Sequence, residues 1–537
     1  MKTIINKLSL MAFGTATALA MNTACTTNFE EINTNPNNMS EGMATPYNML
    51  EYLLYEPAQW NDHYSQMWNS ELVQYTTYTT TAARQIHIYK LTDAEFSNAW
   101  DNYGRYALNA RHMFHLAERT NDNACKAIAM TIEVMNIANQ VSLFGDIPYS
   151  EAFGLREGTG NSQPKFDTQK EVFELMIAKL DAANEIYRGK AGTLTMQYPG
   201  LDGMYGGDLK KWQKFNNSLK LRLLCRISGR TEMNAGKLIQ EMIDDNTKWP
   251  IFTSNDDNAT VHYTGIAPYV NYYYDKNIVY TSLNDHRLTR QMRKMLVVAD
   301  DFGDDMYADP RINVMFRMNN TQYNENGNWL GAISGGTPDV TYAQGHGTAY
   351  FNYDLYLQAT NPTTFMDYAE VQFILSEAAQ RNLISGGESK AKEYYYAGVN
   401  ASLDRWAELS QSLKSPIEID DRTRAEALES DLIAWDQWDN KLELIANQKY
   451  VALFMIGMEA FHELHRTGYP TLTIGAGTVY NDYKFPTRFA YPPTTLASNY
   501  NNCAEALKRM GSDIMHNNMH VNLWWSKQAM SENKYSY

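Results

Sequence analysis

The sequence predicts a mainly α fold, in which helix pairs of tetratricopeptide-like character alternate with long, loop-rich segments. Three observations predict it. Apolar residues recur at helical spacing in segment after segment. Small residues such as Ala107, Ala110, Ala378 and Ala379 stand where paired helices would approach closely. Long segments rich in Gly, Asn, Tyr and Thr separate the helical ones.

The elements follow in chain order. Residues 1–24 predict a secretory leader: Lys2 and Lys7 flank the start, an apolar run follows from Leu8 to Met21, and Asn22-Thr23-Ala24 leads into Cys25. That run is too short for the roughly 20 residues of a spanning helix. A cysteine where the cut should fall makes the leader look like a bacterial lipoprotein signal, with Cys25 becoming the lipidated first residue. It departs from that pattern at Asn22, where an aliphatic residue is usual; ordinary secretion with an incidental Cys25 is the plainer alternative. A multiply acylated cysteine holds a protein stably on a membrane. Residues 25–45 are polar, Asn-rich and aperiodic, a tether to a domain expected over 46–537. After the leader no apolar run is expected to cross a membrane.

Within that domain, Trp100, Tyr103, Ala107, Ala110, Phe114 and Ala117 fall on one face of a helix, and residues 123–143 predict a second. Further helical patterns cover 168–188, 208–229, 366–382, 389–407 and 443–465. Irregular segments are expected at 60–96, 190–207, 250–285, 316–362 and 468–500; the stretches near 60–96, 250–285 and 316–362 are expected to be inserted binding loops.

Composition narrows the function. The net charge is −15 and becomes more negative without Lys2 and Lys7. That disfavours nucleic acid, which needs a basic face, and peripheral attachment to anionic lipid. Aromatics make up 12% of the chain, and 37 Tyr outnumber 19 Phe. Tyrosine pairs a flat apolar face with a hydrogen-bonding tip, which suits contact with polar ligands, although core filling explains many of them. Cys125, Cys225 and Cys503 are spaced too widely for a zinc or redox motif, and no disulfide framework is expected.

Several segments together resemble the SusD/RagB family of surface lipoproteins: NFEEINTNPNN (28–38), FGDIPYSEA (144–152), ADPRI (308–312), PTTFMDYAEVQFILSEAAQRNLI (362–384), NQKYVALFMIGMEAFHELHRTGYPTL (447–472) and PTRFAYPPTTLASNYNN (486–502). Within them Tyr368, Ala369, Glu370, Phe373, Glu377 and Ala378 match one helix, and Glu459, Arg466, Thr467, Gly468 and Pro470 match another. Phe461 and His465 stand where family members usually carry Trp and Arg. The resemblance implies four tetratricopeptide-like helix pairs scaffolding a binding subdomain. It also implies a lipoprotein on the outer face of the outer membrane that captures glycan, or in some members peptide, for a TonB-dependent (SusC-like) transporter. The pair Glu30-Glu31 resembles the acidic signal that sends such proteins to the outer face.

A pyranose lays its C–H face on an aromatic ring and needs fixed polar partners at its edge. Three clusters supply such groups: Trp60, Trp68, Tyr75 and Tyr78 with Arg84; Tyr269, Tyr272, Tyr273 and Tyr274; and Tyr323, Trp329 and Tyr342. Trp329, among glycines, is expected to stand exposed. No cofactor is expected. His462 and His465 lie at i, i+3 rather than the i, i+4 of a zinc-protease helix, and Asp300, Asp301, Asp304, Asp305 and Asp309 lack EF-hand spacing. Glu370 and Glu377 share a helix face, as do Glu459 and Glu463, so neither pair can flank a glycosidic bond from both sides. The expectation is a binding protein rather than an enzyme; the alternative is a secreted glycan-degrading enzyme of helical architecture.

Overall fold

Caps and apolar faces account for where the helices begin and end in a computed structural model that describes residues 45–79, 85–158, 160–190, 199–276, 285–319, 324–337, 339–340 and 345–528. The chain divides into a leading unit, Met1–Thr45, and a compact unit, Pro46–Tyr537, which holds nearly all the described residues. Helices of seven residues or more are numbered.

Helix α1 (Pro46–Tyr64) opens on a proline, whose missing N–H is harmless in a first turn. It buries Leu50, Leu53, Leu54 and Ala58. The chain stays helical through a π turn, Ser65–Asn69, and on to Leu72, so the loop expected from residue 60 begins only there. Helix α2 (Asp93–Arg119) starts with a capping box in which Glu95 accepts from the Thr92 N–H at 2.8 Å. Its expected face is seated inward: Tyr103, Ala107, Ala110 and Ala117 are buried, with Trp100 and Phe114 half-buried.

A three-residue turn returns the chain as α3 (Asn123–Phe144), capped by Asp122. Helix α3 packs between α2 and α4 (Gln169–Lys190), and α4 packs on α5 (Leu209–Arg226). Being covered on two sides, α3 is apolar nearly all round. By length and composition it could cross a bilayer, contrary to the expectation that no run after the leader would; yet 94% of that window is buried inside the protein, and its apolarity fills the core.

After α6 (Ala235–Asp244) the chain forms short strands: β2 (Ala259–Val261), β3 (His286–Leu288), β4 (Val297–Ala299), β5 (Asp305–Ala308), β6 (Phe316–Arg317), β7 (Tyr350–Phe351) and β8 (Thr363–Met366), with α7 (Arg290–Leu296) after β3. With the earlier β1 (Thr76–Tyr78) they make an antiparallel four-stranded sheet in the order β1-β3-β7-β6, and two-stranded pairs β2-β8 and β4-β5. The helical scaffold then resumes. Helix α8 (Tyr368–Gln380), capped by Asp367, pairs with α9 (Gly387–Ser410). A Cβ at Gly398 would stand 3.0 Å from the Phe373 ring, so glycine lets the two helices lie close. The remaining helices are α10 (Asp421–Glu429), α11 (Lys441–Ala452), α12 (Glu459–Thr467) and α13 (Tyr500–Arg509). The pattern expected over 443–465 is thus two helices, parted at 453–458, and α12 ends at Gly468 in the left-handed region, which favours glycine.

Buried ion pairs knit α5, α8, α11 and α12. Arg222 on α5 donates through Nε to Glu370 on α8 at 2.7 Å, and Arg226 pairs with Glu459 on α12. Arg466 on α12 donates to Glu377 on α8 at 2.6 Å and to Glu463 at 2.9 Å, and Lys449 on α11 reaches Glu463 at 2.7 Å. The Asp-Pro-Arg segment is held likewise: Arg311 forks onto Asp309 and bonds Ser402 of α9 and Gln448 of α11. Cys125, Cys225 and Cys503 are free thiols, all buried.

Candidate ligand-binding face

The four-stranded sheet has two unlike faces because successive residues of a strand point to opposite sides. Leu288, Phe316 and Phe351 point inward and are fully or almost fully buried. On the other parity, Arg287 of β3 stands opposite Thr77 of β1 and Tyr350 of β7, and Tyr350 stands opposite Arg317 of β6. Residues directly opposite in an antiparallel pair share a face. That face therefore carries a row: Thr77, fully buried at one end, then Arg287, Tyr350 and Arg317, each half-buried.

Contacts hold this row in place. The Arg287 guanidinium lies over the Tyr350 ring at 4.8 Å, and Arg317 lies over Tyr353 at 4.6 Å. The rings of Tyr350 and Tyr353 are roughly parallel, 6.5 Å apart. Arg287 donates to the Thr348 carbonyl at 3.0 Å, while its Nε has no hydrogen-bond partner among the described residues. Burial presses this guanidinium below its ordinary value, with Tyr350 and Asp285 partly offsetting, yet an arginine keeps its charge throughout the working range of a protein. Arg317 pairs with exposed Asp354 at 2.8 Å. Alternating flat rings and fixed donors can hold a hydroxyl-rich chain along its length, the rings taking C–H faces and the guanidinia taking oxygens.

Four of the nine side chains expected at the ligand are buried, which corrects the expectation that their faces are displayed. Trp68 stacks on Tyr64 at 4.2 Å, beneath α1. Tyr75 packs against Tyr450 and Phe454, with its hydroxyl bonded to the Tyr450 carbonyl. Tyr273 donates to the Asp62 carbonyl of α1 at 2.8 Å. Trp329 is 5% exposed, drawn in because Asp305 accepts from its N–H and Arg293 donates to its carbonyl. In each case a fixed backbone or ring partner inside outweighs display. Tyr274 is 54% exposed, and Tyr78 is half-buried at the end of β1, with its hydroxyl 3.5 Å from Asp285. Arg84, Tyr323 and Tyr342, like Cys25, lie outside the described residues.

Tyr269 and Tyr272, with Trp60 of α1, are half-buried, and the His63 ring lies between those of Trp60 and Tyr272. Tyr272 bonds His63 at 2.9 Å, and Tyr269 meets Tyr55 edge-on at 5.5 Å. Among the described residues no cation lies over these rings as Arg287 and Arg317 lie over Tyr350 and Tyr353. Reasoning from sequence missed Arg287, Arg317, Tyr350 and Tyr353: the strands of the first three are two or three residues long, too short for alternation to be read, and Tyr353 opens a one-turn helix, Tyr353–Tyr356.

The carboxylates once weighed for catalysis are all committed to ion pairs. Burial alone would raise the Glu463 and Glu377 carboxyls; Arg466, joined at Glu463 by Lys449, holds both below the usual range. For Glu370 burial prevails over Arg222, and its carboxyl sits above that range. His462 is buried and His465 half-buried; desolvation keeps both neutral, His465 pushed down to about 3. No group of three or more metal-ligating side chains occurs among the described residues. The aspartates of the acidic run serve separate tasks, Asp309 on Arg311, Asp305 on Arg293, and Asp300 accepting from the N–H groups of its own turn.

With this arrangement in view, the profile of a SusD-like family, described as starch-binding and associating with the outer membrane, matches residues 36–492. The chain belongs to the SusD-like family. Solved structures share its fold. A SusD homolog from Bacteroides fragilis is 23% identical, with a TM-score of 0.72 over 90% of this chain and 99% of its own. A chitin-binding protein is 21% identical, at 0.70 over 90% and 100%. A SusD homolog from Parabacteroides distasonis is 19% identical, at 0.71 over 90% and 98%. No curated protein matches the chain. Of the residues that carry the SusD-like resemblance, Glu370, Glu377, Glu459 and Arg466 cross-link the scaffold.

Proposed function

We propose that this SusD-like protein is a non-catalytic capture protein that holds glycan, or alternatively peptide, on the outward sheet face and delivers it to a TonB-dependent transporter. The row Arg287, Tyr350, Arg317 with Tyr353 carries the reading, because it joins half-buried ring faces to charged donors on one side of a sheet. The family description and a chitin-binding protein of the same fold favour glycan over peptide. The pairing of Glu370, Glu377, Glu459 and Glu463 with arginine or lysine supports a role without turnover. The anchor is acylated Cys25, which would keep the protein at the outer-membrane surface beside its transporter.

Affinity electrophoresis through gels containing starch, chitin oligomers or mannan tests the face. Retardation by one glycan should fall at least tenfold when Arg287→Gln and Tyr350→Ala are combined, with melting changed little. Unchanged retardation moves the site elsewhere. Release of reducing ends from any of these glycans would favour the degrading enzyme instead, and binding only to a peptide array would change the ligand class.

A further inference from the structure

One buried carboxylate ties three segments together at the β1 edge of the four-stranded sheet, behind the proposed row. Glu71, in the short helical run that follows α1, is 1% exposed. Its Oε1 accepts from Thr76 Oγ1 of β1 at 2.9 Å and lies 2.8 Å from His286 Nδ1 of β3. Its Oε2 accepts from the Tyr78 N–H of β1 at 3.0 Å. Tyr78 pairs with His286 across the two strands, and Thr77 with Arg287. Glu71 therefore pins the strand pair that seats Arg287.

The third segment is the turn Ile86–Ile88, which packs against Ser70–Leu72, β1 and Thr478–Asn481. It brings in His87, a buried side chain whose Nδ1 lies 3.7 Å from Glu71 Oε2. That nitrogen makes no hydrogen bond among the described residues. Two imidazoles thus flank one carboxylate, His286 in bonding contact and His87 just beyond it. The three do not converge on one point as the ligands of an ion would. Other ionisable groups stand further out: Tyr78, its ring 5.0 Å from that of His286; Asp285, 3.5 Å from the Tyr78 hydroxyl; and Tyr480 of Thr478–Asn481, exposed with Lys90 over its ring.

A lone carboxylate can balance one imidazolium in a buried place, and a second proton would leave uncompensated charge there. Desolvation lowers His87 from its ordinary 6.5; Glu71 opposes this, and His286 adds to it. The closed form therefore holds His87 neutral at pH 7. As pH falls below 6.5, an opened turn with His87 in water takes up a proton that the closed one refuses, so opening gains. Glu71 is itself held below its ordinary 4.5, because its bond to His286 and the charges of both imidazoles outweigh burial. The acid response down to that range accordingly belongs to His87.

We propose that Glu71, His87 and His286 form an acid-sensitive latch: closed, it holds β1 against β3, and protonation of His87 releases the Ile86–Ile88 turn and loosens that edge of the sheet. Its consequence for glycan rests on the sheet-face reading; the latch itself does not.

Amide hydrogen exchange on the full chain, read by peptide mass spectrometry at pH 7.5 and 5.0 and corrected for intrinsic rates, tests this. Protection over residues 70–79 and 285–289 should fall about tenfold at the lower pH, with α3 unchanged. His87→Gln, which gains no charge, should show equal protection at both pH values, and His87→Met takes its place should the glutamine variant fold poorly. Glycan retardation should weaken in step in the parent alone. If the edge opens as expected while retardation holds, the latch stands and the sheet-face reading fails. Protection indifferent to pH, or an acid loss that persists in the His87 variants, would overturn the latch.

Discussion

Asp62 lies fully buried on α1, where its Oδ2 accepts from Asn271 at 2.8 Å and Thr363 at 2.7 Å. Those bonds favour the charged form, but desolvation is larger, and the carboxyl is pushed up from 3.8 to about 7. A group raised on folding gives stability that is complete below its unfolded value and lost as pH rises through its folded one. Between pH 4 and 7 the loss reaches ~4 kcal/mol. Asp62→Asn, neutral throughout, should therefore melt progressively higher relative to the parent across that window; parallel melting curves at every pH would show that Asp62 stays charged. Trp329→Ala makes a different point. A buried indole removed from a packed core costs ~3–5 kcal/mol, so its melting temperature should drop markedly, where an exposed binding ring would leave it unmoved. Sequence alone places Trp329 among glycines and hence outside. The clamp that draws it in, Arg293 and Asp305, stands 36 and 24 residues away and has no local signature.

Among elements, α8 and α12 depend on each other through Arg466. Removing one partner of a buried pair strands the other charges and costs ~3–5 kcal/mol. Arg466→Met leaves Glu377 and Glu463 facing each other without it, and chemical denaturation should report a loss of that size. Adding Glu377→Gln, which leaves Glu463 paired with Lys449, should recover part of it. If the double variant is no better than the single one, packing rather than charge is responsible. Most long helices were legible because each repeats an apolar face for three turns or more, as α2, α4 and α9 do, but α1, of 19 residues, was not among those expected. Helices α6, α10 and α13 escaped notice: α10 buries only Ala427, and α6 and α13 bury three residues each, too few to stand out from their neighbours. The sheet escaped for a related cause, since its pairing joins residues more than 200 positions apart in the case of β1 and β3.

At the scale of the whole molecule, scaffold and reading face obey separate rules. The family resemblance was legible because the scaffold residues recur in short runs, whereas the candidate face is assembled from four distant strands. The proposed anchor predicts that Cys25→Ala no longer incorporates labelled palmitate and leaves the membrane fraction, while glycan retardation of the purified protein is unchanged; a variant still labelled and still in that fraction would place the attachment elsewhere. The parity of the sheet has an evolutionary corollary. Because Leu288, Phe316 and Phe351 face one way and Arg287, Arg317 and Tyr350 the other, single-codon changes at the latter three would alter what the proposed face presents and leave the buried set in place. A one-residue insertion, by contrast, would exchange the two sets at a stroke. Diversification toward new foods is thus expected to proceed by replacement on this side and to shun length change within its strands.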